Sequence, residues 1–204
     1  MLDAKTLSPK WSRTYVKDAP DMRVAPQYKT AVLAWLVDSE AAMAEIKEDP
    51  KLATQLAALN EKEGDYLLEV VDIETGNLLG RLLIETGKGS FRLSSVYAAG
   101  DWVVATDNRN RVLVYSLKTG AQIGRVFGGF ATVAVKNGVL CVENETGKIA
   151  VYSLSDLSKL DEFVFSSPIA MLRFSPDSER LFVLTSDQVA YVLDASKWSA
   201  PSTR

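Results

Sequence analysis

The stretch IAMLRFSPDSERLFVLTSDQVAYVLDAS (residues 169–196) contains three short runs of β-branched and aromatic residues, separated by the turns SPDS and SDQ. Such runs are typical of antiparallel strands. Related strand-and-turn endings occur upstream in VVDIETGNLLGRLL (70–83), VYSLKTGAQIGRVF (114–127) and VYSLSDLSKLDEFVF (151–165). A shorter version, LDAKTLSPKW (2–11), stands near the start. The chain is therefore built from repeats.

The spacing of these repeats indicates the fold. Asp72, Ser116, Ser153 and Asp194 hold equivalent positions, with steps of 44, 37 and 41 residues between them. A period near 40 with about four strands per unit is typical of β-propeller blades. We predict an all-β fold over residues 1–204, a propeller of about four four-stranded blades. The alternative is that these blades are part of a larger propeller.

The two ends of the chain look complementary. The last repeat supplies three strands, whereas residues 9–16 (PKWSRTYV) read as a strand without a sheet of its own. We expect this strand to complete the last blade, because closure removes an exposed sheet edge. In the alternative, two chains pair through their sheet edges and form a homodimer.

Residues 38–65 interrupt the first repeat with a helical pattern. Ser39 is a suitable N-cap for a first helix, and Asp49 followed by Pro50 is typical of the start of a second. Leu52 and Leu56 then follow at helical spacing. The sequence therefore predicts a helical hairpin inserted into the first blade.

Composition excludes several classes of function. The chain has 204 residues, a net charge of −3 and no apolar run of about 18 residues, so neither nucleic acid nor membrane binding is expected. It has no histidine and one cysteine, Cys141, which removes histidine-based catalysis and the usual zinc ligands. We predict no catalytic residues, no metal and no cofactor. The lack of a signal-peptide pattern favours the cytoplasm.

Loops on a rigid scaffold usually carry binding residues, so we look for the functional face there. The insertion has eight acidic residues and three lysines, a charge of −5 that suits a basic partner. In an antiparallel blade it shares one end with the loops between second and third strands and with the pair Gly128 and Gly129. The candidate partner-binding residues are Glu40, Glu45, Glu48, Glu61, Glu63, Asp107, Arg109, Arg111, Glu143 and Glu145.

The fourth repeat resembles WD-repeat and related bacterial propeller repeats. Its SPDS turn (175–178) matches their Ser-Pro-Asp-Gly turn in three positions. The other endings are similar to quinoprotein-type repeats, which read D-x-x-T-G-x-x-x-W. Trp11 matches the tryptophan, while Gly80 and Gly124 stand at two other copies. This resemblance implies a propeller fold, on which many unrelated functions occur.

The favoured hypothesis is a non-catalytic scaffold that binds a protein partner through the loop face carrying the insertion. In the alternative, Arg23, Arg92 and Arg173 on the first strands of the blades face a central channel and hold an anion or small ligand. A histidine-independent enzyme that uses the same channel is compatible with the sequence, as is a fragment of a larger propeller protein.

Overall fold

A computed structural model describes residues 6, 8–15, 18–58, 66–84 and 92–198. The first of its antiparallel sheets contains β1 (Asp21–Ala25), β2 (Thr30–Leu36), β3 (Tyr66–Asp72) and β4 (Leu78–Ile84). The second contains β5 (Leu93–Ala99), β6 (Trp102–Asp107), β7 (Arg111–Ser116) and β8 (Gln122–Phe127). In both sheets each strand lies beside its neighbour in the chain.

The third and fourth sheets repeat this order. The third contains β9 (Ala131–Ala134), β10 (Val139–Glu145), β11 (Lys148–Ser153) and β12 (Lys159–Val164). The fourth contains β13 (Ile169–Phe174), β14 (Arg180–Thr185) and β15 (Ala190–Asp194). These sheets confirm the predicted all-β repeats, and the last one has three strands in the described part of the chain. Blade number and ring closure stay predictions.

The chain divides into two compact units. The first is Met1–Val103 with Ser116–Ala121, and the second is Val104–Tyr115 with Gln122–Arg204. The first unit contains two helices between β2 and β3: α1 (Glu40–Glu48) and α2 (Pro50–Ala58). They lie within the predicted range 38–65, of which residues 59–65 are outside the described residues.

Local signals explain where these helices begin. The Ser39 hydroxyl accepts a hydrogen bond from the Ala42 amide, and the Asp49 carboxylate accepts one from Leu52 N–H. The helices then bury one face in a cluster with the first sheet, formed by Ala42, Ile46, Leu52, Leu56, Leu33, Trp35, Leu67 and Leu83. Whether they are an insertion into a propeller blade stays a prediction.

The N-terminal segment packs on the first sheet through side chains. Trp11 Nε1 donates to the Ile73 carbonyl at 2.9 Å, and Arg13 Nη1 donates to Glu69 at 2.8 Å. Pro9 forms an isolated bridge, and residues 11–15 have no regular secondary structure. In the described residues 9–15 the structure therefore has side-chain anchors and no regular strand, which differs from the strand predicted over 9–16; residue 16 lies outside the described residues. Pairing of this segment with the last sheet stays a prediction.

Two glycines of the first unit lie under large side chains. Gly76 lies under the Trp11 ring, and a Cβ added to Gly76 would approach that ring to 2.7 Å. Gly80 on β4 likewise lies under Leu117, where an added Cβ would come within 2.8 Å of Leu117 Cδ1. These glycines are needed for the close packing of Trp11 and Leu117 on them.

The second unit shows the same arrangement. Gly124 on β8 lies under Leu157, with a potential Cβ contact of 2.9 Å. The equivalent position on β12 is Asp161, whose Oδ2 accepts a 2.9 Å hydrogen bond from Trp198 Nε1. Trp198 is buried against Phe163 and Phe174. The second, third and fourth repeats thus each pack a residue that follows their third strand on the outer strand of the repeat before them.

Aspartates in the turns are held as carboxylates. Hydrogen bonds from nearby backbone N–H groups or Ser/Thr hydroxyls, the largest cause at each site, lower the pKa of Asp72, Asp156, Asp177, Asp187 and Asp194. A lowered folded-state pKa contributes stability that is present above the unfolded pKa, about 3.9 for aspartate, and is lost as pH falls through the folded value.

We therefore expect the urea midpoint of unfolding to fall as the pH is lowered below about 4. The double variant Asp177→Asn and Asp194→Asn should show a shallower fall, because two of the groups that bind protons on unfolding are gone. Chemical denaturation monitored by circular dichroism between pH 3 and pH 6 measures both effects. Equal urea midpoints for the native chain at the lowest and the highest pH of this range would contradict this account.

Candidate functional site

The loop between β6 and β7 is held from within by a buried carboxylate. Asp107 is 1% exposed, and its Oδ1 accepts hydrogen bonds from the Arg109 and Arg111 amides, each 2.9 Å long. Its Oδ2 accepts from Arg111 Nε at 2.5 Å. Asp107 and Arg111 therefore shape the loop, and Arg109 is exposed on it.

The glycine pair after β8 joins this loop to the next sheet. Gly128 N–H donates to the Asn110 carbonyl at 2.8 Å, and Gly129 N–H donates to the Glu143 carbonyl at 3.0 Å. A Cβ on Gly128 would lie 2.3 Å from the Glu143 carbonyl oxygen and 2.3 Å from Val142 Cγ1. Only glycine fits at this close approach.

The turn between β10 and β11 is organised by Glu143. Its Oε1 accepts hydrogen bonds from Gly147 N–H at 3.0 Å and from Ile169 N–H at 3.1 Å. Gly147 has φ of +72°, the left-handed conformation that glycine adopts most easily. Within the described residues the second carboxylate oxygen, Oε2, has no hydrogen-bond or ion-pair partner.

These three segments surround an open pocket of about 430 Å³, which we name the loop pocket; it is lined by Asn110, Phe127, Gly128, Gly129, Glu143, Asn144, Glu145 and Thr146. Phe127 lines the pocket and is 58% exposed. Asn144 Oδ1 is buried and has no hydrogen-bond partner among the described residues. Glu145 is exposed and lies 3.5 Å from Lys148 Nζ. The pocket lining therefore includes an aromatic ring and two residues, Glu143 and Asn144, that each carry an unpaired oxygen acceptor.

The loop pocket contains some of the candidate residues and not others. It brings Glu143 and Glu145 together with the predicted glycine pair. Sequence reasoning missed Phe127 and Asn144. A large aromatic residue directly before two glycines was the available signal for Phe127, whereas no sequence pattern indicates the buried oxygen of Asn144.

The candidates on the helices lie in the first unit. Glu40 and Glu48 are exposed, and Glu45 pairs with Arg81 at 2.7 Å. Glu61 and Glu63 lie outside the described residues. Helix α2 contacts the turn between β7 and β8, where Lys51 Nζ donates to the Lys118 carbonyl at 3.0 Å and Gln55 covers Gly120. A face shared by the hairpin and the loops between second and third strands stays a prediction.

The three arginines of the alternative hypothesis are exposed. Arg23 on β1 pairs with Asp21 at 2.8 Å, Arg92 precedes β5, and Arg173 lies on β13. Their convergence on a channel stays a prediction. No group of three or more Cys, Asp or Glu side chains in the described ranges could hold a metal ion. No helix in the described part of the chain is both long and apolar enough to cross a bilayer.

Cys141 is fully buried in β10. Burial, followed by the charge of Asp161, raises the pKa of its thiol well above the ordinary value. We expect a thiol-specific reagent at pH 8 to modify folded protein no faster than it unfolds, and to react fully with one thiol in urea. Rapid stoichiometric modification of the folded chain would contradict this burial.

No family model matches the sequence, and no curated protein matches it. Among solved structures, a chain of the mitotic checkpoint complex is 13% identical with a TM-score of 0.51. The match covers 95% of this chain and 58% of that one, so the chain spans little more than half of it. Sqt1 from Saccharomyces cerevisiae is 15% identical over 66% of this chain and 42% of its own, with a TM-score of 0.44. The first likeness supports a β-propeller fold.

Proposed function

We propose that this protein is a non-catalytic propeller scaffold that binds a protein partner at the loop pocket. The observation that carries the proposal is that one open pocket is lined by the exposed ring of Phe127 and by two residues with an unpaired oxygen. These are Glu143, with a carboxylate oxygen, and Asn144, with an amide oxygen. Aromatic anchors next to polar groups are typical of protein interfaces. The lack of histidine supports a binding role over catalysis.

The scaffold holds the loop pocket in a defined shape. Asp107 fixes one loop through three hydrogen bonds, and Glu143 fixes another while joining it to β13 through Ile169. Loops held by strands in this way lose little conformational entropy on binding, which favours recognition. Cys141, a free thiol, supports residence in a reducing compartment such as the cytoplasm.

The helical hairpin, as an insertion into the first blade, provides a second contact in this proposal. Glu40 and Glu48 are exposed negative charges on it. Such rim charges steer association and contribute little affinity. Replacing both with lysine should therefore slow association with the partner and leave its dissociation rate almost unchanged.

The test compares two matched exposed residues, Phe127 and Val164, each at the end of the last strand of its sheet. Phe127 pairs with Arg111, and Val164 pairs with Lys148 at the same step of the ladder. Each residue is changed to aspartate in an affinity-tagged chain. The native and variant chains are purified from cells of the source organism, and the proteins that purify with each of them are quantified. We expect Phe127→Asp to reduce recovery of the specific partner at least about tenfold, as for an interface anchor.

Val164→Asp should leave recovery unchanged, because this 76% exposed side chain lies outside the loop pocket. Both variants should keep the unfolding midpoint of the native chain, since neither removes a buried group. Equal recovery by the native chain and Phe127→Asp would overturn the proposed function.

A further inference from the structure

We infer that the loop pocket receives the guanidinium group of an arginine from the partner, an inference that rests on the proposed function. Two oxygens without partners among the described residues define the chemistry. Glu143 Oε2 has none because its hydrogen bonds to Gly147 and Ile169 all use Oε1. Asn144 Oδ1 is buried and unpaired. An unpaired buried acceptor is unfavourable, and a hydrogen-bond donor in the ligand would remove that penalty.

The charge around the loop pocket favours a cation. Its lining contains the carboxylates of Glu143 and Glu145. The cations of the neighbouring strands already have partners: Arg111 pairs with Asp107, and Lys148 lies 3.1 Å from Glu162. The negative charge of Glu143 is therefore available to a ligand. Hydrogen bonds between a cation and a carboxylate are about twice as strong as those between neutral groups.

Shape favours arginine over lysine. A guanidinium presents five N–H donors in a plane and stacks on aromatic rings, whereas an ammonium is a compact, strongly hydrated charge. The 58% exposed ring of Phe127 offers such a stacking surface. Gly128 and Gly129 add no side chains to the pocket wall and leave room beside the ring. The planar group can thus stack on Phe127 and donate to the separate oxygens of Glu143 and Asn144.

The probe is Nα-acetyl-L-arginine amide, titrated into the ¹⁵N-labelled full chain at constant ionic strength. We expect saturable shifts of the Gly128, Gly129 and Gly147 amide signals, with a dissociation constant of a few mM, about the affinity of one side chain. Nα-acetyl-L-citrulline amide, which has nearly the same shape without the charge, should produce no saturable shifts.

Two variants isolate the acceptors. Glu143→Gln keeps one carbonyl oxygen for Gly147 and Ile169 and replaces the other oxygen with an amino group, so probe binding should weaken at least about tenfold. Asn144→Asp adds a negative charge at the unpaired oxygen and should tighten binding several-fold. Glu179→Gln is the control for general loss of charge, since its 57% exposed side chain does not line the loop pocket; its effect on probe binding should be less than twofold.

Several results would overturn the inference: no saturable shift up to about 30 mM probe, a range well beyond millimolar affinity; equal binding of citrulline amide; or unchanged binding by Glu143→Gln. If the arginine probe fails but Phe127→Asp still abolishes partner recovery, the scaffold function stands and the arginine inference falls. If partner recovery is also unaffected, both fall.

Discussion

Replacing Gly128 with alanine is expected to destabilise the chain by about 3 kcal/mol, because the new methyl group has no space. It would lie 2.3 Å from both the Glu143 carbonyl oxygen and Val142 Cγ1, and the carbonyl belongs to a paired strand that cannot move freely. Relief would require Gly128 to give up its hydrogen bond to Asn110. Urea unfolding followed by circular dichroism measures the loss.

Gly129→Ala is the matched control. A Cβ there has its nearest neighbour, Glu143 Oε2, at 3.9 Å, an ordinary contact distance. We expect a change of less than about 0.5 kcal/mol for this variant. Equal stability of the two alanine variants would show that the wall of the loop pocket is not packed closely around Gly128.

Glu69→Gln is the second substitution with a large expected effect. Glu69 on β3 is 3% exposed and pairs with Arg13 at 2.8 Å and Arg81 at 2.5 Å. Arg81 also reaches Glu45 of α1 at 2.7 Å. Removing the central charge leaves two partly buried guanidinium groups poorly neutralised. We expect the free energy of unfolding to fall by about 3 kcal/mol. This is near the lower end of the range for breaking a buried ion pair, because both arginines keep some solvent contact.

The loss should be accompanied by release of the N-terminal segment, which Arg13 ties to the first sheet. Limited proteolysis at Arg13 should therefore become faster than in the native chain. Glu74→Gln is the control, because its ion pair with Lys10 is exposed and should contribute less than about 0.5 kcal/mol. If Glu69→Gln unfolds at the same urea concentration as the native chain, the network has no stabilising role.

The repeats were readable from sequence because each strand has the residue pattern of its type and each turn has fixed polar residues. The start of α1 at Ser39 and of α2 after Asp49 was equally readable, since capping is local. The role of Gly80 and Gly124 was not. Their reason lies in Leu117 and Leu157, which contact them from the next repeat.

The site was predictable only in part for the same reason. Glu143 stood out as a charged residue in a turn, but its hydrogen bond to Ile169 spans 26 residues and has no local signature. Asp107 resembled a binding residue because it is acidic and lies at a loop; its burial and its three bonds to its own loop become visible only in the folded chain. Only the long-range contacts therefore show which residues shape the pocket and which residues line it.

The central claim is that the loop pocket is the partner-binding site, and site-specific photo-crosslinking tests it most directly. The photoreactive residue benzoylphenylalanine replaces Phe127 in one protein and Val164 in another, two exposed positions at the same step of neighbouring sheets. We predict a specific crosslinked partner from position 127, attached beside an arginine, and none from position 164. A partner crosslinked from position 164 alone would contradict the claim.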